Sequence, residues 1–369
     1  MKRILAVLLT VLMVAGVLCS CGGTGDSNEF FIGATGPLTG DAADYGIAVN
    51  NGAMIAIDEI NAAGGLNGIK FRYEMKDDKA TAADATIGYN ALMDDGMQIS
   101  IGSVTSGSCE AFAAEAVKDN LFFMTPSASA ANVIENRPNA FRVCFGDPDQ
   151  GILAAQDLAA NFEKIGVIYD TSDPYSYGIY EAFEAEMAKL EKTYEVKTFD
   201  KDNNKDFSAQ VEALKECDVI FLPFYYTEAG LVAKKCAEKG CAAVLYGCDG
   251  LDGIAGQIDA SVTNHIKYIT PFDVNATDEK TANFVKKYRE TYGKDPSQFA
   301  ADGYDAIYVI YEAMKAAGVD DASISASDLC DKVVAAITAE SFSYVGTTGT
   351  MTWDVSGAAT KVPVIVELQ

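Results

Sequence analysis

Three short stretches gather the groups that could hold a small polar molecule. In "SIGSVTSGS" (100–108) an apolar run stops at Gly102, and hydroxyls follow at Ser103, Thr105, Ser106 and Ser108, ahead of an alanine-rich helical pattern. In "MTPSASAAN" (124–132), Ser127, Ala128 and Ser129 again follow an apolar run. Free backbone amides at a helix start, helped by hydroxyls, hold a carboxylate without any basic side chain. Capping the helix is the commoner task of such serines. Each stretch alone leaves both roles open, and two at neighbouring strand ends favour the anion. The third stretch, "LYGCDG" (245–250), sets Asp249 between glycines. An acid there accepts a ligand's ammonium group or simply closes a turn. Tyr45, Tyr177 and Tyr225 punctuate other loops and would serve as pocket walls.

Catalysis finds no comparable support. The chain has 53 acidic residues, but no spacing singles out a working carboxylate pair. Its only histidine, His265, lies in "TNHIKYI" with no nucleophile elbow nearby. "GATGPLTG" lacks both the Lys-Ser/Thr of a phosphate loop and the glycine spacing of a dinucleotide site. Cys236, Cys241 and Cys248 stand at a spacing that matches no zinc ribbon or finger. No metal and no cofactor is expected. The seven cysteines from Cys109 to Cys330 are odd in number and read as isolated buried thiols. The formal net charge of −25 argues against nucleic acid and anionic membrane surfaces as partners.

The elements that would position these groups alternate along 369 residues, enough for two cores. A strand is expected at 30–36. Val49, Ala53, Ile57 and Ile60 then recur at helical spacing up to Gly64-Gly65. Strict alternation marks a strand over 69–76. A helix at 82–94, a strand at 97–102, a helix at 107–119 and a strand at 121–124 complete one series. A second series runs through helices at 151–163, 177–191, 207–216 and 227–239 and strands at 164–170, 194–199, 218–224 and 242–247. This rhythm predicts an α/β fold with two Rossmann-like lobes of parallel sheet. Ligands in such sheets sit beyond the carboxyl ends of the strands. The last hundred residues carry two helical patterns and end in strand-like "GTMTWD" and "KVPVIVEL". They lack a βα series of their own, so the chain is expected to cross back between lobes.

At this point the chain resembles the branched-chain amino-acid (Leu/Ile/Val) binding proteins of bacterial ABC importers, a type I periplasmic-binding fold. The resemblance runs from about residue 30 to the end. It is carried by "IGATGPLTGDAADYG", "GAMIAIDEINAAGGLNGIKFRYEMKDD", "IGSVTSGS", "TPSASA", "DFSAQVEAL", "YGCDG" and "GTMTWD". It implies lobe 1 from 30–145 plus 272–349 and lobe 2 from 146–271 plus 350–369. A three-crossing hinge near 143–147, 270–273 and 348–353 would join them. It implies Ser106, Ser127, Ala128 and Ser129 at the ligand carboxylate, and Tyr225 and Asp249 at its ammonium. Val104, Thr105, Tyr45 and Tyr177 would line the pocket, with Phe299 beside them. Asp249 is shorter than the glutamate frequent in the family. Thr105 and Lys79 stand where some relatives carry a disulfide, so that bridge is lacking. A leucine, isoleucine or valine ligand is the first expectation. A sensing domain for another small amino acid is the alternative.

The N-terminus reads as a processing segment. A basic start, Met1-Lys2-Arg3, precedes an apolar run from Ile4 to Leu18 and the lipobox-like "LCSC". Cys21 is the expected lipid attachment site, and 22–29 the tether. The expected product is a monomeric lipoprotein outside the cell membrane, with an ABC permease as its partner.

Overall fold

The computed structural model describes residues 28–368. The expected signal segment and Cys21, the expected lipid attachment site, lie outside the described residues. Two sheets organise the chain. The first has the order β2-β1-β3-β4-β5, all parallel. Its strands are β1 (Glu29–Gly36), β2 (Lys70–Asp77), β3 (Ile99–Ser100), β4 (Phe123–Thr125) and β5 (Ala140–Arg142). β1 pairs with β2 in the register Glu29↔Lys70 through Gly36↔Asp77. Helices α1 (Ala43–Ala62), α2 (Ala82–Asp94) and α3 (Ser106–Ala116) connect these strands.

The second sheet has the order β13-β10-β9-β8-β6-β7. Its parallel part is β6 (Ile165–Asp170), β7 (Glu195–Phe199), β8 (Val219–Leu222), β9 (Val244–Gly247) and β10 (Ile266–Thr270). α4 (Asp147–Asn161) leads into β6, and α5 (Pro174–Lys189), α6 (Ser208–Leu214) and α7 (Tyr226–Lys239) run between the strands that follow. The last strand, β13 (Val364–Leu368), returns antiparallel on the β10 edge. Helices α8 (Glu279–Tyr292), α9 (Gln298–Ala316) and α10 (Ala326–Ile337) go back to the first lobe. There Gly52 of α1 sits so close to α9 that a Cβ would overlap the Ala300 carbonyl.

The chain passes between the sheets after β5, after β10 and before β13. Short β11 (Tyr344–Gly346) and β12 (Gly349–Met351) form a hairpin ahead of the last passage. Buried Asp305 accepts from the backbone N–H of Thr347 and Thr348, both at 2.9 Å, and fixes that hairpin to α9. The following segment stays on the first lobe. Trp353 Nε1 donates to the Arg142 carbonyl at 2.7 Å, and Arg142 N–H donates to Gly357 at 3.0 Å.

Two helices start earlier than their apolar periodicity predicts. α4 begins at Asp147 rather than 151, because Pro148 is preformed for a first turn and Asp149 Oδ2 accepts from Gly146 N–H at 3.1 Å. α5 begins at Pro174 rather than 177, capped by Asp173, whose Oδ1 accepts from Tyr175 N–H at 2.8 Å. The strand expected at 97–102 pairs only over Ile99–Ser100, and Gly102 in the left-handed region (φ 65°) turns the chain out of the sheet.

Candidate functional site between the lobes

The carboxyl ends of β3 and β4 face those of β8 and β9 across a narrow cavity. Tyr45, Val104, Thr105, Ser106, Ser127 and Phe299 line it from the first lobe, and Tyr175, Tyr225, Asp249 and Gly250 from the second. One acid and no base belong to that lining. As the walls stand, the cavity has room for about 10 Å³, roughly one water molecule.

On the first lobe the wall is a helix N-terminus. Thr105 is the N-cap of α3 and makes no side-chain cap hydrogen bond. The amides of Ser106, Gly107 and Ser108 have no intrahelical acceptor, as for any first turn. Ser106 Oγ accepts from Ala130 N–H at 3.2 Å, and Ser127 Oγ donates to the Val104 carbonyl at 2.7 Å. These bonds tie the β3 and β4 loops together and leave the helix end facing the cavity with its partial positive charge.

On the second lobe the wall is a buried carboxylate. Asp249 is 4 % exposed. Tyr175 Oη donates to Asp249 Oδ1 at 2.7 Å and accepts from Gly250 N–H at 2.8 Å. Asp249 N–H donates to Gln150 Oε1 at 3.0 Å. Burial pushes the Asp249 carboxyl up to about 6, against the lowering pull of the Tyr175 hydroxyl. Behind it Asp147 is fully buried, and its two carboxylate oxygens have no hydrogen-bond partner among the described residues. Burial again raises its pKa well above the ordinary carboxylate value, and the neighbouring Asp249 charge acts in the same direction.

Aromatic rings close the sides. Tyr175 stacks on Tyr225 at 5.1 Å and 11°. Tyr45 meets Phe299 at 4.2 Å, Tyr226 at 4.7 Å and Tyr225 at 5.6 Å. Tyr45 also spans the lobes, since its hydroxyl donates to the Gly250 carbonyl and accepts from Tyr226 N–H at 3.1 Å. Gln298 bridges in the same way, through Nε2 to Asp249 O at 2.9 Å and through N–H to Asp252 Oδ2 at 2.8 Å. At the rim, Thr227 Oγ1 donates to Asp41 O at 2.7 Å and Lys205 pairs with Asp41 at 2.9 Å. A wider groove of about 400 Å³ shares Tyr175 and Tyr225 with the cavity, and Asp170, Asp173 and Glu228 line it.

Three expected residues stand elsewhere. Tyr177 is a correction: it is 44 % exposed and lines no part of the cavity. Because α5 starts at Pro174, Tyr177 lies two residues beyond Tyr175, roughly 200° around the helix, and the inner place goes to Tyr175. Ala128 packs in the first lobe's core, and its amide donates to Thr125 Oγ1 at 2.9 Å rather than to the cavity. Ser129 sits behind the lining, its carbonyl accepting from Asp147 N–H at 3.0 Å and from Arg142 Nη1. Sequence reading passed over Tyr175, Gln150 and Asp147. The readable signal was a Pro in a first turn at 148 and 174.

Comparison with known proteins agrees with this architecture. The family model described as "Periplasmic binding protein" matches residues 29–354. The Leu/Ile/Val-binding protein homolog 1 of Brucella abortus is 30 % identical over 307 residues, 79 % of this chain and 80 % of that one. A leucine binding protein, LivK, from Thermotoga maritima superposes with a TM-score of 0.82 at 25 % identity, covering 91 % of this chain and 94 % of that one. The branched-chain amino acid transporter substrate binding protein LivJ from Streptococcus pneumoniae, in complex with isoleucine, gives 0.78 at 26 %, over 92 % and 100 %. A cleft between two parallel-sheet lobes, matched by a family model over residues 29–354 and by these relatives over 79 to 92 % of the chain, means that the chain belongs to the periplasmic binding protein family, in the branch of the branched-chain amino-acid binding proteins.

Proposed function

We propose that the chain is the extracytoplasmic binding component of an ABC importer. It takes up an α-amino acid, with leucine, isoleucine or valine as the first choice, and hands it to a membrane permease. One observation carries the reading: the cavity has a helix N-terminus on one wall and a buried carboxylate on the facing wall. A zwitterion satisfies both walls at once. Its carboxylate meets the α3 amides and the Ser106 hydroxyl, and its ammonium meets Asp249. Val104, Tyr45 and Phe299 offer apolar surface to a branched side chain. The relatives named as Leu/Ile/Val-binding proteins support the choice. Only the closed lobes bring both poles to the ligand, so binding shifts the population towards closure. The permease then reads the closed shape. Cys21, outside the described residues, would carry the lipid that holds the protein at the membrane.

A thermal-shift panel of amino acids and of carboxylates lacking an ammonium tests this, because a ligand bound only by the folded state raises its melting temperature. A branched-chain amino acid is expected to give the largest rise. A panel in which ammonium-free carboxylates stabilise equally would defeat the two-pole reading. Cys21→Ser is expected to release the protein from membranes.

A further inference from the structure

Among the described residues Cys217 is half-buried and six other cysteines are buried. Two of them share one helix end. α7 stops at Gly240 in the left-handed region (φ 68°). Gly240 N–H donates to Ala237 O at 3.4 Å, and Cys241 N–H donates to Cys236 O at 2.9 Å. These are the two bonds of a Schellman cap, a motif that sets the side chains of the residues here numbered 236 and 241 against each other. Both side chains belong to the same core cluster. With standard backbone dimensions, a 2.9 Å N···O bond between them limits their Cα separation to about 6.8 Å. Disulfides span about 4.4 to 6.8 Å between Cα atoms. The influence of each thiol on the other pushes Cys236 up and holds Cys241 below the usual thiol range, with Ala243 N–H helping.

We propose that Cys236 and Cys241 form a disulfide that staples the C-terminal end of α7 when the chain folds outside the cytoplasm in contact with a disulfide-bearing oxidant. The Cys241 thiolate attacks one sulfur of the oxidant and releases the other as a thiolate. Cys236 then loses its proton to solvent, attacks the Cys241 sulfur and expels the second thiolate. Two cysteines are oxidised and one external disulfide is reduced to two thiols. Extracytoplasmic compartments sustain such bonds. The staple would fix the far end of the helix that begins at Tyr226, beside the cleft. Cys217, which lies near enough for Cys241 to bear on its thiol, is the competing partner.

The test is refolding of the reduced full chain in a mixture of reduced and oxidised glutathione, then alkylation in denaturant and tryptic digestion. Trypsin cuts after Lys239, so the bond joins peptides 236–239 and 240–267. Fragmentation separates Cys241 from Cys248 within the second peptide. The expected result is this linked pair, loss of two of the seven thiols downstream of Cys21, and their return on reduction. The link should persist in Cys217→Ser and vanish in Cys236→Ser. Seven alkylated thiols after refolding would overturn the proposal, as would a bond from either cysteine to Cys217 or Cys248.

Discussion

Asp249 carries two opposed consequences of burial. Its carboxyl is pushed up to about 6, so the charged form that an ammonium ligand needs is the form the empty fold disfavours. Affinity should therefore fall about tenfold per pH unit below 6, and calorimetry between pH 5 and 8 reads this directly. The stability of the free protein should move the other way. The folded pKa lies above the unfolded one, so the fold binds the extra proton and loses stability as pH rises from about 4 through 6. Against Asp249→Asn, the wild type should lose up to about 3 kcal/mol across that window. Asp249→Ala should cost on the order of 2–5 kcal/mol of ligand affinity, and Ser106→Ala less, since the α3 amides remain. Unchanged affinity in Asp249→Ala would remove this residue from the site. Ser106, Ser127, Tyr225 and Asp249 were legible because residues at strand ends and helix starts fall at places the pattern locates. Tyr175 and Asp147 were not, since both depend on where a proline-initiated helix begins, and a shift of two residues reverses its inner and outer faces.

At the scale of elements, the contact between α1 and α9 is the one most sensitive to a single atom. Gly52 meets the Ala300 carbonyl, and Tyr304 N lies 3.1 Å from where a Cβ would be. Two helix backbones cannot yield as a flexible side chain would. Gly52→Ala should destabilise by roughly 1–3 kcal/mol, seen as a lower urea midpoint at unchanged slope. Gly256, with no atom within 4 Å of its Cβ position, is the control, expected to stay within about 0.5 kcal/mol. Equal effects at both sites would refute the close approach. The alternation of strands and helices was readable because buried parallel strands and amphipathic helices leave different periods. β5, at three residues, is too short to show a period, and no local pattern announces that β13 returns antiparallel to β10. Its partner lies about a hundred residues upstream, and pairing over that span leaves no trace in neighbouring residues.

Across the whole molecule, the closure proposed above would rest on the few contacts that join the two lobes, and burial separates the strong from the weak. The Lys205–Asp41 pair lies at the rim with both side chains about two-thirds exposed. Exposed pairs contribute between 0 and about 1 kcal/mol. Tyr45 is 2 % exposed, and its hydroxyl serves both the Gly250 carbonyl and Tyr226 N–H from the opposite lobe. Tyr45→Phe keeps the ring against Phe299 but leaves two buried backbone groups unpaired in the closed form. That should weaken ligand binding by about 1–3 kcal/mol, a loss of roughly fivefold to more than a hundredfold. Because the contacts are made after encounter, the change should appear in the dissociation rate, measured by stopped flow, with the association rate nearly constant. Lys205→Ala should leave both rates within about fivefold. Small-angle scattering at saturating ligand should then give the same compact radius for the wild type and Lys205→Ala, with Tyr45→Phe needing more ligand to reach it. A Lys205→Ala effect as large as that of Tyr45→Phe would place the clamp at the rim rather than in the aromatic wall.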